Sequence, residues 1–502
     1  MSIAMLLDSV ASALPDRVLI GAGPERTDAS AVAAAACAGA HVVVGAEVDA
    51  VGFIGIGGPA FPTALFASAL AGVAFTPMNY RLPADRLAEL ATCLGARPML
   101  IVDDEYADVV KYLDVLTYST GEWLALLAGA ASAGPPAVEV DDDAPAVVLY
   151  TSGTTAKPKG AVLRHRHLTS YVLQTVEFAS AAATDAALIS VPPYHVAGVG
   201  TVLTNIFAGR RLMYLPSFTP GGWLDTVREE AITQAMLVPT MLARIAEHLG
   251  GAEAEVPCLR SLAYGGARMP RPVLEAALRA MPKVAFANAY GLTETSSTIA
   301  ILGPEDHREA LISVDEKVRA RLGSVGRLLP GIEGRIRADS GAELPAGEPG
   351  QLWVRGEQVA GEYLGDAPLL DSDGWFHTRD QAWIDPDGYL YIVGRSDDTI
   401  IRGGENIAPA EIEDVLVCQP GVKEVAVVGV PDDEWGARIL AVVVRQPGAT
   451  VSADEVKTYA RARLRGSRTP DDVAFVSELP HTPTGKLIRR ELPALVRASV
   501  RS

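Results

Sequence analysis

The sequence predicts an α/β protein whose large first part contains parallel-rich sheets covered by helices. Between residues 146 and 290, short apolar runs alternate with helical patterns, which is typical of parallel sheets with helices on both faces. After about residue 325, apolar runs are separated by Gly, Pro and Asp turns, which indicates a small β-barrel or sandwich. Beyond residue 395, a third pattern predicts a separate small α+β unit.

The alternating region defines most of the expected elements. Its strand candidates are Ala146–Tyr150, Ala187–Val191, Arg211–Leu215, Gln234–Val238, Ser261–Tyr264 and Val284–Asn288. Helices are expected at Thr240–Leu249 and Arg271–Met281, because each begins beside a Pro, which favours a first helical turn. The region before residue 146 repeats the pattern more loosely, with strands at Val51–Ile56 and Met99–Val102 and a helix near Phe61–Ala71.

These patterns divide the chain into unequal domains, since 502 residues exceed what one hydrophobic core supports. Residues 1–395 are expected to form an N-terminal domain, with the barrel part at about 325–395. Residues 396–502 are expected to form a C-terminal domain with helices and strands at Pro409–Val417, Glu424–Val430, Arg438–Val444, Asp454–Arg465 and Val473–Val476.

Charge and cysteine content exclude several function classes. The chain has 43 basic and 61 acidic residues, a net charge of −18, so we expect no nucleic-acid partner. The four cysteines are far apart without zinc-site spacing, which indicates reduced thiols in a cytoplasmic protein. We expect no signal peptide, because the first apolar run is short and interrupted by Asp8. We expect no membrane span, because the Ala-rich stretches fall short of the ~20 apolar residues that a span needs. A monomer or homodimer is expected.

A loop rich in phosphate-binding groups follows the strand Ala146–Tyr150. It reads Thr151-Ser-Gly-Thr-Thr-Ala-Lys-Pro-Lys-Gly160. Backbone N–H groups, hydroxyls and ammonium groups in such a loop can surround a polyphosphate. The loop is not a Walker A motif, because Pro158 stands where that motif has its second Gly and Gly160 where it has Ser or Thr.

The string YTSGTTAKPKG resembles the signature of the adenylate-forming (AMP-binding) superfamily, which contains acyl-CoA and aryl-CoA synthetases, peptide adenylation domains and firefly-type luciferases. Further segments follow in the superfamily's order: Tyr264-Gly-Gly-Ala267, Tyr290-Gly-Leu-Thr-Glu294, Gly374-Trp-Phe-His-Thr-Arg-Asp380, Gly394-Arg-Ser-Asp397, Gly403-Gly-Glu-Asn406 and Pro483-Thr-Gly-Lys486. The resemblance covers roughly residues 50–490 and is greatest to the fatty-acyl-CoA synthetases.

The resemblance implies a ligase that converts a carboxylic acid and ATP to acyl-AMP, releases pyrophosphate and transfers the acyl group to CoA. Such a transition state spreads negative charge and needs cations and aligned donors. Thr293 is implied to contact the α-phosphate and Glu294 to hold Mg²⁺, for which a carboxylate oxygen is a suitable ligand. The implied ATP/AMP-binding set is Thr151, Ser152, Gly153, Thr154, Thr155, Lys159, Gly265, Gly266, Ala267, Asn288, Ala289, Tyr290, Gly291, Asp380 and Arg395.

The C-terminal segments imply a mobile lid that serves two half-reactions. Lys486 resembles the lysine that contacts the carboxylate and the α-phosphate during adenylation, and Asp397 matches the hinge position. Gly403 and Gly404 resemble the glycines of the pantetheine tunnel, where a missing Cβ leaves room for a narrow chain. Rotation about Asp397 is implied to withdraw Lys486 and to bring in the two glycines.

The acyl site is specified less closely. Pro192-Pro-Tyr-His195-Val-Ala-Gly198 resembles the PxxH segment of acyl-CoA synthetases, which implies that His195 is a catalytic residue near the substrate carboxylate. The expected lining is His195, Val196, Gly198 and Val199, although the apolar residues here fit plain core equally well. This segment has no Asp to bind an ammonium group, which favours a fatty or other apolar acid over an amino acid.

Two departures from the superfamily pattern keep alternatives open. Ala156 replaces the usual loop Gly, and Arg379 replaces the small residue before Asp380, so a nucleotide-binding homologue with impaired catalysis remains one alternative. An acyl-AMP ligase that loads an acyl carrier protein is the other. The stretch between Gly334 and Gly350 has no room for the extra segment typical of fatty-acyl-AMP ligases, which favours CoA as acceptor.

Overall fold

The computed structural model describes residues 1–130, 134–151, 159–402, 405–432, 434–482 and 486–499. Its strands are β1 Val18–Ile20, β2 Thr27–Asp28, β3 Ala50–Ile54, β4 Ala74–Met78, β5 Pro98–Val102, β6 Leu116–Ser119, β7 Pro145–Thr151, β8 Lys159–Arg164, β9 Ala186–Ile189, β10 Arg211–Tyr214, β11 Gln234–Leu237, β12 Ser261–Gly265, β13 Ala285–Leu292, β14 Ser297–Leu302, β15 Arg327–Leu328, β16 Glu333–Arg337, β17 Gly350–Arg355, β18 Phe376–Ile384, β19 Leu390–Arg395, β20 Ile400–Arg402, β21 Glu405–Ile407, β22 Val422–Asp432, β23 Gly436–Arg445 and β24 Asp472–Val476. Its α-helices are α1 Ala4–Ala13, α2 Ala29–Gly45, α3 Ala60–Ala71, α4 Ala84–Ala91, α5 Thr120–Gly129, α6 His165–Thr175, α7 Val196–Phe207, α8 Pro220–Glu229, α9 Pro239–Leu249, α10 Arg271–Ala280, α11 Pro304–Ile312, α12 Glu316–Ala320, α13 Pro409–Leu416, α14 Ala453–Arg461 and α15 Leu492–Ser499.

Two large sheets form the first part of the chain and confirm the predicted α/β fold. One has the order β15-β14-β13-β12-β11-β9-β10-β1-β2 and is parallel from β13 to β1. The other has the order β6-β5-β3-β4-β7-β8, and its β7–β8 pair is antiparallel. The main core contains apolar residues of both sheets and of helices α2, α3 and α7. Helix α3 is buried on almost every side, because it is apolar all round.

The strands predicted in the alternating region are present with small shifts at their ends. The strand expected at Ala146–Tyr150 extends over Pro145–Thr151, and the one expected at Val284–Asn288 continues to Leu292. That extension is antiparallel to β14, so β13 has partners on both sides. The helices expected at Thr240–Leu249 and Arg271–Met281 are α9 and α10.

A four-stranded antiparallel sheet, β16-β17-β18-β19, occupies the region where a barrel was expected. Four strands are too few to close on themselves around a filled interior. The sheet instead covers its apolar face by packing Ile336, Leu352 and Val354 against Ile299 of β14. This contact fixes the small sheet beside the carboxyl end of β13, where the candidate site lies.

The C-terminal unit is built around β22, β23 and β24, with β22–β23 antiparallel and β23–β24 parallel. Helices α13 and α14 cover this sheet through Ile412, Leu416 and Val456, which belong to a separate hydrophobic core. A core of its own is the property expected of an independent domain. No helix in the described part of the chain is long and apolar enough to cross a membrane.

Two buried histidines at the start of α6 give a testable pH dependence of stability. The exposed fractions of His165 and His167 are 0% and 1%. Burial lowers the pKa of both rings to about 4, and nearby positive charge lowers it further in each case. The unfolded chain therefore binds more protons below about pH 6.5, the ordinary histidine value. We expect the free energy of unfolding to fall by about 2 kcal/mol per ring between pH 7 and pH 5.

Urea unfolding at each pH measures this dependence. His167→Gln should remove one ring's share of the pH slope, whatever it does to the stability at pH 7. His481→Gln, at an exposed position, is the matched control and should leave the slope unchanged. Equal slopes in both variants would contradict the assignment.

Candidate functional site

The carboxyl ends of two neighbouring strands bring the predicted adenine segments together. Gly265, the last residue of β12, pairs with Ala289 of β13. A Cβ on Gly265 would lie 2.1 Å from the Ala289 carbonyl oxygen, so only glycine permits this approach. Gly266 follows with a φ of +82° and is exposed, and Ala267 is half-buried. Because ligands of open α/β sheets bind at this edge, the two segments lie where a nucleotide would be held.

A buried carboxylate lies next to the predicted adenine residue Tyr290. The Tyr290 hydroxyl donates a hydrogen bond of 2.5 Å to Oδ2 of Asp380, and Nε of Arg395 lies 3.4 Å from Oδ1. Asp380 on β18 and Arg395 on β19 are direct partners in the small sheet. Burial raises the pKa of Asp380, while Arg395 and the Tyr290 hydroxyl oppose that rise. An ionised carboxylate held in this way can accept hydrogen bonds from two ribose hydroxyls.

Thr293 and Glu294 form a short 3₁₀ turn directly after β13, and both are half-buried. The hydroxyl of Tyr363 donates a short hydrogen bond to Oε1 of Glu294. Among the described residues, none hydrogen-bonds to Oε2 of Glu294. A half-buried carboxylate with one oxygen oriented and the other available suits a hard cation, so these residues fit the Mg²⁺ that the resemblance implies.

The C-terminal unit delivers Lys486 to the same place. The Thr482 N–H donates to the Lys486 carbonyl at 2.7 Å, and the Lys486 N–H donates to Oγ1 of Thr482 at 3.0 Å, which closes a loop with Lys486 at its end. The side chain keeps contact with solvent, yet many protein atoms surround its ammonium group. Burial and then Arg395 lower the pKa of Lys486, and Glu294 and Asp380 act in the opposite direction. These interactions show that the lysine and both carboxylates converge.

His195 precedes the first residue of α7, and the charge of Lys486 acts on its ring. Burial, followed by the positive charge of Lys486, lowers its pKa to about 3. The ring therefore stays neutral near pH 7 and can donate one hydrogen bond to a carboxylate oxygen. The ring of Tyr194 packs against it with a centroid distance of 4.5 Å.

The structure places the expected acyl residues in different surroundings. Val196 is half-buried, whereas Val199 is fully buried within the main core. Gly198 is packed so closely that a Cβ would lie 2.5 Å from the Pro192 carbonyl oxygen. Gly198 thus allows α7 to start against the Pro192 backbone, and Val199 faces the core.

A row of side chains that the motif analysis missed lies beneath α7. Register pairs join Ile189, Met236, Ala263 and Ala287 across four adjacent parallel strands, so their side chains share one face. Oγ1 of Thr201 on α7 lies 3.7 Å from the Met236 sulfur. Met236, Ala263 and Ala287 are half-buried, and in β11 and β12 they alternate with buried residues. The face that they share is therefore only partly covered, and only the strand register reveals the row.

Several predicted residues lie outside the described part of the chain: Ser152, Gly153, Thr154 and Thr155 of the phosphate loop, and Gly403 and Gly404. The strands at the two ends of the loop are described, and Thr151 pairs with Lys159 in the β7–β8 hairpin. Asp397 lies in a short 3₁₀ turn at Ser396–Asp398, between the small sheet and the C-terminal unit.

A cleft of about 1870 Å³ separates the large sheets from the C-terminal unit. Its walls carry both charge signs, from residues that include Arg81, Arg244, Lys423, Glu478 and Arg489. Two ion pairs cross it, Arg268 with Asp414, and Lys423 with Glu247 at 3.4 Å. The cleft reaches Pro192, three residues before His195.

Arg379 adopts a φ of +62°, in the left-handed region that favours glycine. Its side chain is exposed, and its carbonyl accepts a hydrogen bond of 3.1 Å from the Ser396 hydroxyl. A strained residue that adjoins Asp380 and is bonded to the turn Ser396–Asp398 belongs to the kind of position where strain accompanies function.

Comparisons with known proteins agree with this geometry. The family model for AMP-binding enzymes matches residues 7–364, and the model for the C-terminal domain of AMP-binding enzymes matches residues 411–486. The chain is 36% identical to a feruloyl-CoA synthase of an Amycolatopsis species, over 88% of each chain. It is 33% identical to the fatty acid–[acyl-carrier-protein] ligase ScoC of Streptomyces coeruleorubidus, over 88% of this chain and 86% of the relative.

A solved structure extends the comparison to the whole chain. The ATP-bound MatB of Rhodopseudomonas palustris superposes with a TM-score of 0.86 at 27% sequence identity, and the alignment covers 100% of both chains. The C-terminal unit is therefore included in the similarity.

Proposed function

The chain belongs to the AMP-binding enzyme family of AMP-forming acid–CoA ligases, and from this premise we propose that it activates an apolar carboxylic acid as acyl-AMP and transfers it to CoA. The observation that carries the proposal is the convergence of Lys486, Asp380 and Glu294, which come from different parts of the fold. ATP, CoA and the substrate carboxylate are all anions, and a site with cations among its carboxylates can stabilise the negative charge that they bring together.

Adenylation is the half-reaction that this arrangement suits. Lys486 would bridge the attacking carboxylate and the α-phosphate, and the neutral ring of His195 would hold the carboxylate without adding charge. Asp380 and Arg395 would fix the ribose, with Tyr290 beside adenine. Mg²⁺, held through Glu294, would neutralise phosphate charge when bound. Because these residues would hold the reactants in alignment, they would remove part of the activation barrier to acyl-AMP formation.

Thiolation requires a second arrangement of the same parts. The proposed domains are residues 1–395 and 396–502, with the hinge at Asp397 in the turn Ser396–Asp398. Rotation there would break the ion pairs Arg268–Asp414 and Lys423–Glu247 and withdraw Lys486. The cleft of about 1870 Å³ that reaches Pro192 is the proposed entry for the long, narrow pantetheine arm. Gly403 and Gly404 are the proposed tunnel glycines.

The acid is proposed to bind over the row Met236, Ala263 and Ala287. Two alanines in this row leave width for a flat ring, and the chain is similar to a feruloyl-CoA synthase. Aromatic acids are therefore expected to be better substrates than long-chain fatty acids. The similarity to ScoC supports one alternative acceptor, an acyl carrier protein.

A panel of acids tests the proposal. ATP–pyrophosphate exchange is measured with aromatic, branched and straight-chain acids, and free CoA or a carrier protein is then added. We expect exchange and thioester formation with free CoA, greatest for an aromatic acid. Lack of exchange with every acid would refute the activity and favour the impaired homologue, and transfer to the carrier protein alone would refute the acceptor.

A pocket variant tests the substrate row. Ala263→Leu should lower kcat/KM for the best aromatic acid by about tenfold, because added methyl groups occupy the proposed ring position. Activity with a two- or three-carbon acid and the affinity for ATP should stay unchanged. Equal losses for large and small acids would contradict this placement.

A further inference from the structure

One segment joins the two halves of the phosphate site, which belong to different sheets. We name residues Ala360–Asp366 the bridging segment; it lies between β17 and β18. The Leu364 N–H donates to the Gly160 carbonyl at 2.7 Å, and the Val162 N–H donates to the Glu362 carbonyl at 3.0 Å. The segment therefore extends the edge of β8, the strand that leaves the phosphate loop.

The same segment is bonded to the metal-ligand candidate. The N–H groups of Ala360 and Gly361 donate to the Glu294 carbonyl at 2.8 and 3.1 Å. Tyr363, two residues later, donates its hydroxyl hydrogen bond to the Glu294 carboxylate. Both the backbone and the side chain of Glu294 are thus held by one short stretch.

The bridging segment also holds the cation of the phosphate loop. Nζ of Lys159 lies 2.7 Å from Oδ2 of Asp366 and 5.4 Å from the centre of the Tyr363 ring. The Lys159 and Asp366 side chains are 42% and 44% exposed, so their ion pair is weak and can be exchanged. Arg164 and Glu362 form a two-pronged ion pair at 2.7 and 2.9 Å that anchors the segment nearby.

We propose that the bridging segment is a positioning element of the phosphate site, in which Tyr363 orients Glu294 and Asp366 holds Lys159 until a polyphosphate takes its place. The inference rests on the proposed function. When a polyphosphate binds, the ion pair of Lys159 with Asp366 is then exchanged for an ion pair of Lys159 with a phosphate group. Tyr363 leaves Oε2 of Glu294 available while it fixes Oε1, which suits a carboxylate that must meet a cation in one orientation.

Calorimetric binding to Asp366→Asn tests the exchange, with inorganic pyrophosphate, ATP and AMP as separate probes. Loss of the competing carboxylate should tighten pyrophosphate and ATP binding by about threefold at low salt, and high salt should remove the difference. AMP affinity should not change, because AMP lacks the phosphates that would meet Lys159. Asp373→Asn, an exposed carboxylate in the same connection, is the control.

Tyr363→Phe tests the orientation of Glu294 and keeps the ring beneath Lys159. Mg²⁺ should strengthen ATP binding about fivefold less in this variant than in the wild type, measured by calorimetry. Thiolation of supplied acyl-AMP and the affinity for AMP should match those of Tyr112→Phe, an exposed control.

The outcomes separate the two proposals. Unchanged or weaker pyrophosphate binding in Asp366→Asn overturns the exchange, and a parallel change in AMP binding shows a general structural effect instead. An unchanged Mg²⁺ effect in Tyr363→Phe overturns the orienting role. A wild-type chain that binds these ligands but activates no acid refutes the proposed function and leaves the binding tests valid.

Discussion

Lys486→Ala is expected to lower the rate of acyl-AMP formation by roughly a thousandfold, the upper range for loss of one charged donor at a developing anion. Lys486 is the group of the C-terminal unit whose charge acts on the pKa of Asp380, and Glu294 and Asp380 in turn act on the pKa of Lys486. Single-turnover formation of acyl-AMP measures the effect directly. Thiolation of supplied acyl-AMP should stay within about twofold of the wild type, because the proposed rotation at Asp397 withdraws Lys486 from the site for that step.

Two further variants define what this loss means. Lys486→Arg keeps the charge and should recover part of the rate, but not all, because a planar guanidinium has a different geometry from an ammonium. Lys457→Ala, on α14 outside the site, should behave as the wild type. Equal loss of both half-reactions in Lys486→Ala would contradict the assignment of Lys486 to adenylation alone.

Asp380→Asn is expected to lower kcat/KM for ATP by about a hundredfold, because it removes the charge of a buried, hydrogen-bonded carboxylate. The asparagine would offer an NH₂ group where two donors, Tyr290 and Arg395, now point at oxygen atoms. Both half-reactions should suffer, since acyl-AMP carries the same ribose as ATP. Steady-state kinetics with ATP, and thiolation of supplied acyl-AMP, measure the two losses.

The control for Asp380 is Asp387→Asn, an exposed carboxylate in the turn before β19, which should leave both rates unchanged. Adenylation lost with thiolation intact in Asp380→Asn would place Asp380 at the phosphates instead of the ribose. The two predictions therefore differ in one measurable respect, the fate of thiolation.

Much of the large domain was predictable because several of its strands, such as β3, β5 and β9, are buried on both faces. Runs such as Ala146–Tyr150 and Gln234–Val238 are nearly continuous in apolar residues, and helical patterns of suitable length lie between them. Such signals are local and do not depend on which strand pairs with which. The strand ends were less predictable, as β13 shows, because its extension depends on pairing with β14.

The region 325–395 shows where local pattern fails. Short strands separated by turns fit a closed barrel and an open sheet equally well, and only the packing of Ile336 and Leu352 on Ile299 distinguishes them. Arg379 is similar. The sequence marked it as a departure, but its φ of +62° accompanies the irregular pairing of β17 with β18 at this point.

The sequence by itself determined the family of this protein and the candidate residues for its chemistry. The order of motifs from Thr151 to Lys486 supplied the family and the candidate cations and carboxylates, because each motif is a short run whose residue types are required locally. The tertiary structure decided which groups serve those motifs. Tyr363 lies 69 positions from Glu294, and Asp366 lies 207 from Lys159. Contacts at such separations depend on how sheets pack and strands register, which no local pattern encodes.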